Sequence, residues 1–106
     1  MKTPICMTIA GSDSGGEAGV QADLKTFNDY GVFGTSAITA TTAQNPTRII
    51  SINPVSPQAL QDQLQALSYF QIPFIKTGLL TSSTQIDIVA NEIQGQTLIT
   101  DPVIAS

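Results

Sequence analysis

Residues 11–19, Gly-Ser-Asp-Ser-Gly-Gly-Glu-Ala-Gly, follow directly on the apolar run at residues 4–10. Glycines allow a backbone to approach a ligand closely, and free N–H groups at a helix start attract anions. Three uses fit such a segment: a phosphate cradle, a close approach to an uncharged ligand, or a plain strand-to-helix turn. The spacing Gly11, Gly15, Gly16, Gly19 departs from the dinucleotide fingerprint, and the segment lacks the Gly-Lys-Ser/Thr of a P-loop. Asp13 and Glu17 also place negative charge where a phosphate would sit.

Other side chains with chemical potential lie at the ends of apolar runs. Gln44 carries an amide that donates and accepts at once, which suits a heterocycle edge with a ring nitrogen beside an amino group. It equally suits a strand-end residue bonded to the Asn45-Pro46 turn. Asp23, four residues after Gly19, reads as a solvated helix residue or a pocket residue. Asp101 before Pro102 either stops a strand or sets a carboxylate beside a metal-bound phosphate. Lys76, bracketed by Ile75 and Thr77, needs a partner, and Asp101 and Asp13 are the candidates. The single cysteine, Cys6, reads as a small buried hydrophobe, and the lack of histidine excludes Ser-His-Asp and Cys-His catalysis and His-ligated metals.

The elements that would carry these residues alternate. Residues 4–10 are apolar or small on both faces, as in a central parallel strand. A helix follows from Glu17 to Gly31, with Val20, Leu24 and Phe27 on one face. Strands are expected at 35–43 and 48–55. A second helix opens with Ser56 as N-cap, Pro57 at its first position, and a Val55–Leu60 staple, with Leu60, Leu64 and Leu67 as its stripe. A short strand at 74–77 leads to Gly78-Leu79-Leu80. Ser82 and Gln85 have capping-box spacing for a third helix that buries Ile86, Val89, Ala90 and Ile93 and ends at Gly95; a strand at 97–100 completes β-α-β-β-α-β-α-β. This order predicts a layered α/β sheet with right-handed crossovers and ligands at the carboxyl ends of its strands. Gly11-Ser12-Asp13, Gln44-Asn45, Gly78-Leu79-Leu80 and Asp101 would then share one rim.

The chain has 106 residues, 42% hydrophobic and 11% charged, with a net charge of −4, which fits one small globular domain. Its four cations are scattered, which excludes a phosphate-backbone footprint and hence nucleic acid as a partner. After Lys2 the first apolar stretch is too short for a signal peptide, and no segment reaches membrane-span length, so the expectation is a cytoplasmic protein without a membrane partner.

Read together, residues 8–27 (TIAGSDSGGEAGVQADLKTF), 37–45 (AITATTAQN), 75–80 (IKTGLL) and 100–103 (TDPV) closely resemble the hydroxymethylpyrimidine/phosphomethylpyrimidine kinases of thiamine biosynthesis, relatives of the pyridoxal kinases. The resemblance implies a ribokinase-like layered α/β sheet with helices on both faces. Residues 1–106 would be the N-terminal part of a single kinase domain, truncated before its C-terminal ATP-binding part. It further implies transfer of the ATP γ-phosphoryl group to 4-amino-5-hydroxymethyl-2-methylpyrimidine and to its monophosphate, with Mg2+ and, in full-length relatives, a homodimer. By the same resemblance Gln44 reads the pyrimidine edge, Gly11, Ala18 and Asp23 line the substrate pocket, Leu79 and Leu80 wall it, and Asp101 lies toward the metal. Glu17, where many relatives carry a small residue, would repel the anionic monophosphate. The catalytic residue is expected in the C-terminal part, so this chain alone would be close to inactive. Two alternatives stay open: a non-catalytic pyrimidine-binding half-protein, and a pyridoxal kinase.

Overall fold

The computed structural model describes residues 3–101; Lys2, Pro102 and Val103 of the readings above lie outside them. The elements run β1 (Ile5–Asp13), α1 (Gly19–Asp29), β2 (Phe33–Asn45), β3 (Arg48–Pro54), α2 (Pro57–Leu67), β4 (Phe74–Thr77), α3 (Ser83–Glu92) and β5 (Thr97–Thr100). This is the order expected from the sequence. The strands form one sheet in the order β3-β2-β1-β4-β5, with β1 parallel to β2 and β4, β4 parallel to β5, and β3 antiparallel to β2.

Alternation along the strands sorts the two faces. Met7, Ile9, Ala37 and Ile75 point to one side and form a buried cluster with Leu60 and Leu64 of α2 and Ile88 and Val89 of α3. Ile9, Leu60 and Ile75 are fully buried, and each such side chain contributes about 1.5–3 kcal/mol relative to exposure. On the opposite side α1 packs on β1 and β2. Contact there is close because position 34 is glycine: a Cβ on Gly34 would come within 2.8 Å of Leu24 and 3.0 Å of Phe27.

Local signals account for the helix limits. Ser56 accepts a hydrogen bond from Ala59 N at 3.1 Å, with Pro57 at the first helical position of α2. Gly31 follows α1 at φ +71°, the left-handed position that ends a helix. Two expectations need correction. β1 runs on through Asp13, because Ser12 and Asp13 pair with Thr41 and Thr42 beyond a register shift after Ala10. The face that α3 buries is Gln85, Ile88 and Val89, whereas Ile86 is 52% exposed and Ala90 is exposed. A polar residue thus holds a position that an apolar periodicity assigns to a neighbour.

β1 is the point from which the chain departs in two directions. Its crossover through α1 leads to β2 on one face, and the later crossovers through α2 and α3 run along the other face to β4 and β5. Helices that diverge in this way leave a crevice at the carboxyl ends of the central strands.

Candidate active site

That crevice is a cleft of about 330 Å³, and its walls include Gly11, Ala18, Asp23, Gln44, Leu79 and Asp101. A broader depression of about 1,200 Å³ lies at the opposite, amino-terminal end of the strands, but none of the side chains lining it is charged. The charged side chains gather at the carboxyl rim.

The glycine loop is organised by Asp13. Its Oδ1 accepts from Gly15 N at 2.7 Å, and its Oδ2 accepts from Glu17 N at 3.1 Å and Ala18 N at 2.9 Å. A buried carboxylate that takes three backbone N–H groups fills the anion position of the loop from within. The phosphate-cradle use is therefore disfavoured here. Gln21 braces the same segment, accepting from Asp13 N at 2.8 Å and donating to Ser12 Oγ at 2.7 Å. Gly19, at φ +61°, lies so close to β1 that a Cβ would come 2.2 Å from Gly11 O. At Gly11 itself a Cβ would meet Leu79 Cδ2 at 3.3 Å.

The end of β2 is stitched to this loop. Ser14 N donates to Thr42 O at 3.1 Å, Ser14 Oγ donates to Gln44 O at 2.8 Å, and Gln44 N donates to Ser14 Oγ at 2.8 Å. The Gln44 amide does not turn back onto the Asn45-Pro46 turn. Its Nε2 donates to Thr42 Oγ1 at 2.9 Å, and Thr42 Oγ1 donates in turn to Ser12 O at 3.0 Å. Among the described residues Gln44 Oε1 accepts no hydrogen bond, so one acceptor and one N–H of the amide remain for a ligand.

Asp23 is not a solvated helix residue. Its Oδ1 accepts from Lys76 Nζ and its Oδ2 from Thr8 Oγ1, both at 2.6 Å. Lys76 also lies 3.7 Å from Asp101 Oδ2, so one of its two expected partners is present at long range. Asp13, the other, is turned into the loop's N–H groups. The cleft thus holds Asp13, Glu17, Asp23 and Asp101 against Lys76 alone.

Leu80 requires a correction. It packs against the buried cluster of Met7, Ile9 and the α2 and α3 residues, and Leu79 is the leucine on the cleft wall. Consecutive residues leaving a strand point to opposite sides, and only one can face the rim. The pocket residues that sequence reasoning missed include Thr42, hidden by its strand propensity, and Ala22 on α1, whereas Gly78 lies on the rim as expected, and a Cβ there would meet Ala10 Cβ at 3.0 Å. Cys6 is half-buried, and burial raises its thiol pKa above the ordinary value. That favours the unreactive thiol. Among the described residues no three acidic or thiol side chains gather into a metal cluster, and no helix is long and apolar enough to cross a membrane.

The family model of phosphomethylpyrimidine kinase matches residues 13–106. The chain belongs to this family. A hydroxymethylpyrimidine/phosphomethylpyrimidine kinase of Haemophilus influenzae is 52% identical over 101 residues, covering 92% of this chain and 38% of that protein. The same-named kinase of Bacillus subtilis is 46% identical, covering 92% and 37%. The crystal structure of phosphomethylpyrimidine kinase from Clostridium difficile superposes with a TM-score of 0.89 at 36% identity, covering 94% of this chain and 48% of that one. Pyridoxal kinase of Bacillus subtilis, solved as an ADP complex, gives 0.88 at 34% identity, covering 97% and 41%. The ribokinase-like fold of these phosphomethylpyrimidine kinase relatives is the α/β architecture expected from the motifs. The chain spans less than half the length of each.

Proposed function

We propose that this chain is the pyrimidine-binding portion of an ATP-dependent kinase that phosphorylates 4-amino-5-hydroxymethyl-2-methylpyrimidine and then its monophosphate. The observation that carries the reading is Gln44. Its amide stands on a cleft wall beside the glycine loop, oriented by Thr42, with an acceptor left over for an exocyclic amino group and an N–H for a ring nitrogen. Gly11 and Ala18 supply the small surfaces that admit a flat ring, and Leu79 supplies an apolar wall. Asp23, fixed by Thr8 and Lys76, faces the same space.

In the proposed reaction the hydroxymethyl oxygen gives up its proton to the catalytic residue and bonds to the γ-phosphorus of ATP as the bridging oxygen departs with ADP. The resemblance places the ATP surface, the anion hole and the catalytic residue in the part of the relatives that this chain does not span. Asp101 is 58% exposed at the rim and shares only a long ion pair with Lys76. It fits the way Mg2+ is held beside nucleotide phosphates, by one or two carboxylates with waters. When bound, Mg2+ neutralises charge on the phosphates. The same reading carries a cytoplasmic location and a homodimeric enzyme, to which Ile49 and Ile50, 60% and 61% exposed on the edge strand β3, would offer apolar surface.

A second reading, pyridoxal phosphorylation, is favoured by the likeness to pyridoxal kinases, among them one from Staphylococcus aureus solved with AMP-PCP and pyridoxal, at a TM-score of 0.85 and 28% identity. Thermal-shift titrations of the chain with hydroxymethylpyrimidine, pyridoxal and Mg-ATP separate the readings. The proposal expects stabilisation by the pyrimidine and little by Mg-ATP. Stabilisation by pyridoxal alone would transfer the assignment to the second reading.

A further inference from the structure

Leu79 lies on the segment between β4 and α3, outside regular structure, yet it is 9% exposed and forms a cleft wall against Gly11. Two buried polar side chains hold it from the far side of the sheet. Thr39 Oγ1 donates to Leu79 O at 2.7 Å, with Thr39 fully buried. Gln85, 2% exposed, donates from Nε2 to Thr39 O at 2.9 Å and accepts from Thr81 N at 2.8 Å. The segment is thus fastened at Leu79 and Thr81 by side chains that are themselves joined at Thr39.

The Gln85 amide is diverted from an ordinary use. In a capping box the side chain three residues after the N-cap bonds back to the N-cap N–H. Here Ser82 Oγ accepts from Gln85 N at 3.1 Å, but the Gln85 side chain passes over Ser82 to Thr81 and crosses to β2. Gln85 also occupies a core-facing position of α3 where an apolar residue would pack. A glutamine kept there, with all its bonds directed to this one segment and its strand support, serves the segment rather than the helix. Gly78 N, bonded to Ile9 O at 2.8 Å, fixes the other side.

We infer that Thr39 and Gln85 are positioning residues that set Leu79 as the wall of the ligand cleft. The inference rests on the reading that this cleft binds the pyrimidine. Thr39→Val keeps the side-chain shape and removes the hydroxyl, leaving Leu79 O without its partner, whereas Thr39→Ser keeps the hydroxyl. The loss of one such bond corresponds to about a three- to tenfold change in an equilibrium constant.

The test is a set of calorimetric titrations with hydroxymethylpyrimidine, alongside amide hydrogen exchange without ligand. The expected result is a Kd about three- to tenfold higher in Thr39→Val, within about twofold of wild type in Thr39→Ser, and no further rise when Thr39→Val is added to Leu79→Ala. A purely structural role would lower stability but would not vanish in the Leu79→Ala background. An unchanged Kd in folded Thr39→Val, or an undiminished effect in that background, overturns the inference. If the wild-type chain binds no pyrimidine, the functional reading has failed and the exchange arm decides the positioning. The Thr81 amide, which donates to Gln85 Oε1, should then exchange about tenfold faster in Gln85→Met while β1 amides stay protected, and an unchanged Thr81 rate overturns the inference. Gln85→Met carries the same expectations where Thr39→Val does not fold.

Discussion

Lys76 Nζ stands 2.6 Å from Asp23 Oδ1, which ties β4 to α1 over the end of β1. The two side chains are 21% and 13% exposed, so neither charge is well hydrated without the other. Replacing Lys76 with Met leaves Asp23 supported by the Thr8 hydroxyl alone. Breaking a buried pair destabilises by about 3–5 kcal/mol and an exposed one by about 0–1. For this partly buried pair the expected loss is about 1–3 kcal/mol, read as a lower urea midpoint with an unchanged slope. A midpoint equal to that of wild type would mean that the pair contributes nothing to the fold.

Two glycines of the same loop should respond differently to alanine. Gly16 has φ +77° and open space around it, so Gly16→Ala meets only the left-handed backbone penalty of about 1–2 kcal/mol. Gly19→Ala adds a Cβ 2.2 Å from Gly11 O and must push α1 off β1. The expected loss exceeds that of Gly16→Ala by at least about 1 kcal/mol in urea unfolding, comparable to other overpacked sites. Equal losses would contradict the close approach of α1 to β1.

Glu17 lines the cleft, and among the described residues its carboxylate has no ion-pair partner. A phosphate carried into so small a space feels that charge at a distance of roughly 8 Å, an interaction of about 0.5–2 kcal/mol at an effective dielectric between 20 and 80. Glu17→Gln should therefore tighten binding of the pyrimidine monophosphate by a few-fold at low salt and leave the uncharged alcohol unchanged. The gain should shrink as salt is added. Titration of both ligands checks this, and an unchanged affinity ratio between them removes Glu17 as a determinant.

Burial raises the Cys6 thiol pKa, so at a given pH the folded chain holds less thiolate than a free cysteine. Alkylation by iodoacetamide at pH 8 is expected to be slower in the native chain than in urea, and to accelerate as the pH is raised toward the elevated pKa. Equal native and unfolded rates would show that the strand does not shield the sulfur.

Much of the layout was legible because local signals and tertiary packing agree. Ser56 and Pro57 start α2 as their types require, and Gly31 ends α1 at positive φ. The convergence of Gly11, Gln44 and Asp101 follows from strand order and the position of strand ends. What escaped the sequence depends on distant pairings. The short ion pair of Lys76 is with Asp23, which is not among its expected partners; Asp101 lies farther off at 3.7 Å, and Asp13 is occupied by three N–H groups, a use that spacing does not reveal. Gln85 reads as a helix-capping residue, and its bond to Thr39 exists only once the tertiary fold brings the Gln85 side chain within reach of β2. Leu79 and Leu80 are chemically alike, and only the exit direction of β4 decides which faces the cleft.

The central claim is that Gln44 reads a pyrimidine edge in the cleft at the carboxyl end of β1, and calorimetric titration of hydroxymethylpyrimidine into the chain and into Gln44→Ala tests it directly. The loss of two ligand hydrogen bonds at about 0.5–1.5 kcal/mol each predicts saturable heat in the wild type and a Kd about 5- to 150-fold weaker in the variant. Equal affinity in both folded proteins, or no saturable heat from the wild type, would contradict the account.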